Sequence, residues 1–130
     1  VRLLQTKAKS LIISDTDQMF TDTRIGSVIK YIKTHLTNKN INVEALAKQA
    51  YMSTSHFHKQ FKNTLGVSPI DYINSERIKF AKKLIKESKN LRISEIAYKS
   101  GFNNTSYFNR QFKKHEMITP TQFLKSILAK

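Results

Sequence analysis

The sequence has no cysteine and no tryptophan, only three glycines and two prolines, and nine acidic side chains against 23 Lys and Arg. Each shortage narrows the field. Without cysteine there are no disulfides and no thiolate-metal sites, which suits a reducing compartment. So little Gly and Pro disfavours a β architecture with many tight turns. No apolar run approaches the roughly 20 residues that a membrane span needs. The longest near the start, Leu11-Ile12-Ile13, is also too short for the core of a signal peptide. The chain begins at Val1, and a longer parent protein with a further domain upstream is expected.

What remains is a basic chain of 130 residues with a formal charge of +14, enough for one domain or for two small lobes on a rigid connector. Such a charge bears on partners rather than on fold: nucleic acid, an anionic membrane surface or an acidic protein. Its distribution is uneven. Arg2, Lys7 and Lys9 balance Asp15, Asp17 and Asp22, so residues 24–130 carry the entire excess. Residues 1–23 read as a linker or N-terminal extension.

Beyond residue 23, apolar residues recur at helical spacing almost throughout. A first helix is predicted over 24–36, with Ile25, Val28, Ile29 and Ile32 on one face. Further helices are predicted over 43–50, capped by Asn42, over 54–64, opened by Ser53, over 69–88, 93–100, 105–115 and 120–128. The longest should bury Ile73, Ile78, Ala81, Leu84 and Ile85. The fold class is therefore all-α, with about seven helices.

The decisive feature is an internal repeat. STSHFHKQFKNTLGVSPIDYI, residues 53–73, aligns with NTSYFNRQFKKHEMITPTQFL, residues 104–124, at an offset of 51. The identical pairs are Thr54/Thr105, Ser55/Ser106, Phe57/Phe108, Gln60/Gln111, Phe61/Phe112, Lys62/Lys113 and Pro69/Pro120. Upstream, Leu46-Ala47 matches Ile96-Ala97 at an offset of 50, so one residue was gained or lost in the turn between. Each copy reads as a short helix with a small Ala for close approach, a turn, a polar N-cap, a helix with Phe at i and i+4, and a Ser-Pro or Thr-Pro start to the next helix. That is a helix-turn-helix with a supporting helix, written twice. Subdomain one covers about 24–68, the linker helix about 69–88 and subdomain two about 89–130, all within a double helix-turn-helix domain over 24–130.

Opposite the Phe pair, the second helix of the first unit offers Thr54, Ser55, His58, Lys59 and Lys62; the second unit offers Thr105, Ser106, Asn109, Arg110 and Lys113. Short polar groups at the N-terminal end, with donors and cations one turn on, suit a helix that enters the DNA major groove N-terminus first. Arg can bond guanine in a bidentate fork, and Asn can do the same with adenine. Lys62 and Lys113 are placed to reach phosphate. One such helix is as well explained by a solvated face, but two copies in one basic chain favour duplex reading. The linker helix, near 20 residues, would span about 30 Å, close to the 34–36 Å between recognition helices one duplex turn apart. Binding of RNA or of DNA without regard to sequence, and service as an accessory domain of an enzyme, are the competing classes.

Other candidates carry less. His56 and His58, at i and i+2, point to different sides of a helix and have no partner ligands, so no metal is expected. His35 and His115 read as helix-terminal surface residues. Glu76-Arg77 reads as a structural ion-pairing site, and Lys79, Lys82, Lys83 and Lys86 mostly as a solvated face. Tyr107 is the one aromatic of the repeat with a chance of standing free to stack on a base. No Gly-rich phosphate loop or nucleophile–base pattern appears, so neither a catalytic residue nor a cofactor is expected.

These stretches resemble the C-terminal domain of the AraC/XylS family of bacterial transcription regulators over about residues 24–127. The likeness rests on LAKQAYMSTSHFHKQFKNTLGVSPIDYI, ERIKFAKKLI and ISEIAYKSGFNNTSYFNRQFKKHEMITPTQFL. It implies seven helices, two helix-turn-helix subdomains joined by the long helix, and promoter binding in the bacterial cytoplasm, at the nucleoid, with activation through RNA polymerase. It also implies an effector-sensing or dimerising domain elsewhere in the parent protein. By position it implies base contacts from Ser55, His58, Lys59, Thr105, Ser106, Asn109 and Arg110, and phosphate contacts from Lys62 and Lys113. Two departures stand out. Tyr51 sits where the second unit has Gly101, and Met117 where the first has Gly66, so the turns and the helix ends of the two units are expected to differ.

Overall fold

A computed structural model describes residues 23–88 and 90–129. The extension read over 1–23 therefore lies, but for Thr23, outside the described residues. Among those described there are seven helices and no strand. They are α1 (Thr23–Thr34), α2 (Val43–Gln49), α3 (Thr54–Leu65), α4 (Pro69–Glu87), α5 (Ile93–Lys99), α6 (Thr105–Glu116) and α7 (Pro120–Leu128). The all-α expectation holds, and each predicted helix is present.

The helices start where side chains can satisfy free backbone donors. Asn42 Oδ1 accepts the Ala45 N–H at 2.8 Å, Ser53 Oγ the His56 N–H at 3.1 Å, and Asn104 Oδ1 the Tyr107 N–H at 2.9 Å. Thr119 and Gln122 close a reciprocal box at the head of α7. At α4, Ser68 Oγ accepts the Asp71 N–H at 3.2 Å ahead of Pro69, which has no N–H to leave unpaired. Each such cap contributes about 1 kcal/mol.

The chain forms two compact units. The first holds the described residues up to His35 together with Ile41–Tyr72. Its core is Ile25, Val28, Ile29 and Ile32 of α1, Leu46 and Ala47 of α2, Ala50 and Met52 of the turn, and Phe57 and Phe61 of α3. The Phe61 ring meets the Phe57 and Tyr72 rings, each with centroids 5.6 Å apart. The second unit holds Leu36–Asn40 and the residues from Ile73 onward. Its core is Ile78, Ala81 and Ile85 of α4, Ile96 and Ala97 of α5, Phe102, and Phe108 and Phe112 of α6. Phe112 meets Phe108 at 5.8 Å and Phe123 at 5.6 Å, as Phe61 meets Phe57 and Tyr72. Leu84, one of the expected core positions, is partly buried and packs against this core.

Both departures in the repeat turn out to preserve the backbone. In each turn the chain crosses the left-handed region, at Tyr51 (φ 57°) and at Gly101 (φ 102°). The following N–H then reaches back by the same bond: Met52 to Ala47 O and Phe102 to Ala97 O, both 3.0 Å. The helix ends match as well. Gly66 (φ 81°) donates to Lys62 O at 2.7 Å, and Met117 (φ 70°) to Lys113 O at 2.8 Å. The expected differences are absent because the reversal needs a left-handed residue whatever its side chain. Tyr51 and Met117 can supply one because their side chains, 87% and 80% exposed, stand largely in solvent. Gly101 has no such freedom. A Cβ there would lie 2.7 Å from Arg77 Nε and 2.8 Å from the Leu36 carbonyl oxygen.

That contact marks a buried cation. Arg77 is 7% exposed; its Nε donates to Leu36 O at 2.9 Å and its Nη2 to Asn38 O at 2.8 Å. Burial lowers its pKa, partly offset by Tyr107 nearby. The expected ion pairing at Glu76-Arg77 is corrected accordingly. Arg77 binds backbone carbonyls, while Glu76 takes Lys79 of its own helix at 3.0 Å. The guanidinium fork matches two acceptors at once, and the 36–40 loop supplies both. Of the α4 lysines, Lys83 and Lys86 are solvated as expected, and Lys82 pairs with Glu116 at 2.9 Å.

Met117→Gly should raise stability by about 0.5–1 kcal/mol, since it relieves left-handed strain at a residue whose side chain is largely exposed. Gly101→Ala should lower it by more than about 2 kcal/mol, through the same strain plus a clash with backbone. Urea unfolding followed by circular dichroism measures both, and a loss for Met117→Gly would refute the strain argument.

Candidate nucleic-acid interface

In α3 and α6 the paired phenylalanines are fully buried, and this fixes what the opposite face shows. Ser55, His58, Lys59 and Lys62 are all exposed on α3. Thr105, Ser106, Asn109, Arg110 and Lys113 are all exposed on α6. Ser55, Lys59 and Lys62 fall at i, i+4 and i+7, as do Ser106, Arg110 and Lys113, so each set makes one stripe along its helix. The structure brings the members of each set together. No acidic side chain interrupts either stripe: α3 contains none, and α6 contains only Glu116, at its last residue and engaged by Lys82. Each stripe thus presents hydroxyl, imidazole or amide donors and acceptors first, then cations.

Both His56 and His58 are exposed, and no group of His, Cys, Asp or Glu that could hold a metal occurs among the described residues. His35 is exposed and stacks on Tyr31 with centroids 4.0 Å apart. His115 departs from its expected surface position and is half-buried. No helix among the described residues is long and apolar enough to cross a membrane.

Tyr107 corrects a second expectation. It is not a free stacking aromatic: it is half-buried against the core of its unit, and its hydroxyl accepts a hydrogen bond from Asn74 Nδ2 at 2.8 Å. Its ring instead serves Arg110, whose guanidinium carbon lies 5.7 Å from the ring centroid. Asn74 was absent from the sequence reading. The signal was available in its register: Asn74, Ile78, Ala81 and Ile85 run at spacings of four, three and four, which puts an amide on the buried face of α4.

A family model described as a helix-turn-helix domain matches residues 46–126. The "Probable transcription factor PqrA" of Proteus vulgaris is 31% identical over 100 residues, which cover 76% of this chain and 81% of that protein. Among solved structures, the C-terminal domain of AraT, a response regulator from Geobacillus stearothermophilus, superposes with a TM-score of 0.75 at 26% identity. It covers 81% of this chain and 86% of that one. The DNA-binding domain of AdpA, solved in complex with a target DNA, shares the fold with a TM-score of 0.74 at 24% identity over 82% of this chain and 94% of that one. Several curated relatives are much longer: the chain spans 45%, 35% and 38% of three of them. The matched helix-turn-helix model, covering both copies of the repeat, and the relatives in sequence and structure agree: the chain belongs to the AraC family of transcription regulators, as the family's helix-turn-helix DNA-binding domain.

Proposed function

We propose that the chain holds a transcription regulator on a specific duplex site by reading bases with both α3 and α6. The observation that carries this reading is the duplicated exposed face: two helices, each rotated by a buried Phe pair so that a polar and basic stripe points outward. Ser55, His58 and Lys59, then Thr105, Ser106, Asn109 and Arg110, are the base-contacting set. Lys62 and Lys113, one turn further on, take phosphates. The two helices enter successive major grooves of one duplex. Residues 24–130 act as the DNA-binding module, and an effector-sensing or dimerising domain belongs to the remainder of a longer protein. The regulator works in the cytoplasm, on the nucleoid, as an activator that contacts RNA polymerase. The regulators to which the chain is similar, and the target DNA bound by AdpA, support duplex DNA over RNA.

The two kinds of contact separate experimentally. A duplex recovered by selection from random DNA serves as the cognate probe. Arg110→Ala should cost about 1–3 kcal/mol on that duplex and little on a scrambled one, because only a base contact discriminates. Equal loss on both would reassign Arg110 to backbone binding. Recovery of two sequence blocks about one turn apart supports engagement by both helices; a single block would leave one unit as the reader.

Lys62→Ala and Lys113→Ala should each weaken cognate and scrambled binding alike and reduce the slope of log affinity against log salt by about 1. A salt titration of either variant with an unchanged slope would remove that lysine from the phosphate set.

A further inference from the structure

We infer that Asn74 and Tyr107 are positioning residues that set the Arg110 side chain for base recognition. The inference rests on the base-reading role proposed for Arg110 and adds how that role is prepared before DNA arrives.

Arg110 is an exposed arginine on a helix surface, and such a side chain ordinarily samples many rotamers that binding must restrict. Here it has a platform. Tyr107 lies one turn earlier on α6, and the guanidinium carbon sits 5.7 Å from the ring centroid, within cation–π range. The platform is itself fixed at two points. Asn74 Nδ2 donates to the Tyr107 hydroxyl at 2.8 Å, and the Phe102 ring packs against the Tyr107 ring at 6.0 Å. A tyrosine held by its tip and its side cannot swing away from the arginine it supports.

Asn74 itself is the telling residue. It is 2% exposed, in register with Ile78, Ala81 and Ile85 on the buried face of α4. An amide there carries a desolvation cost, and its Oδ1 is buried without a hydrogen-bond partner. Packing alone would be better served by an aliphatic side chain. What the amide adds is the bond to Tyr107. The first unit has no such platform: His56 stands at the position of Tyr107 and Lys59 at that of Arg110, both exposed. A lysine acts as a point charge and gains less from a preset plane, whereas a bidentate arginine depends on its orientation.

The test breaks the same bond from each end. Tyr107→Phe removes only the hydroxyl, and Asn74→Leu removes the amide. Each is titrated with the duplex recovered by selection and with a scrambled duplex, alone and combined with Arg110→Ala, and thermal unfolding establishes that each variant is folded. Each single variant should lose about two- to fivefold in affinity for the selected duplex and nothing on the scrambled one. That loss should vanish once Arg110 is alanine. No selective loss, equal loss on both duplexes, or a loss that persists undiminished with Arg110→Ala overturns the inference and leaves the bond a purely structural one. Should Asn74→Leu fail to fold, Tyr107→Phe decides. If Arg110→Ala itself shows no selective loss, the base-reading role fails, and the inference falls with it; the Arg110→Ala titration alone identifies that outcome.

Discussion

Two phenylalanines one helical turn apart set the rotation of each recognition helix, and the functional face follows from that rotation. Phe57 with Phe61, and Phe108 with Phe112, are fully buried, and each second ring is closed by a third aromatic, Tyr72 or Phe123. Burying a side chain of this size contributes about 1.5–3 kcal/mol, so turning the helix would forfeit more than any single polar contact on the other side restores. The polar stripe is therefore held outward by the core rather than by its own interactions.

Much of this was legible because it depends on spacing. Helix positions, the Asn42, Ser53 and Asn104 caps and the buried Phe pairs all follow from local pattern, and for the Ser53 and Asn104 caps and the Phe pairs the repeat states that pattern twice. The errors share a different cause. Tyr51 and Met117 suggested altered backbone because residue identity was weighed ahead of the hydrogen bond that the turn must make. Arg77 suggested a carboxylate partner, but its partners are backbone carbonyls, which leave no mark in a sequence. Asn74 and Tyr107 lie 33 residues apart, so their bond became visible only once α4 and α6 were packed in one unit.

The two copies share a backbone and differ in chemistry. The caps of the recognition helices, the turns, the helix ends and the packing of the Phe pairs coincide, down to the left-handed residue at each reversal. Departures concentrate on the outward face and just beneath it: His56, His58 and Lys59 against Tyr107, Asn109 and Arg110. Such a pattern is expected where scaffold residues answer to one packing problem and the exposed residues of each copy answer to their own contacts.

The loop bound by Arg77 has a consequence for how this protein can be divided. On paper the repeat looks like two cassettes joined end to end. In space, Leu36–Asn40 leave the chain between α1 and α2 and belong to the second unit, where Leu36 and Asn38 supply the carbonyls for the buried guanidinium. A fragment that starts after Tyr72 would carry the cation without its acceptors, and one that ends there would carry the acceptors without the cation. The second copy is thus not a portable module. A cut that keeps the buried guanidinium and its acceptors together must therefore carry Leu36–Asn40 along with the second copy.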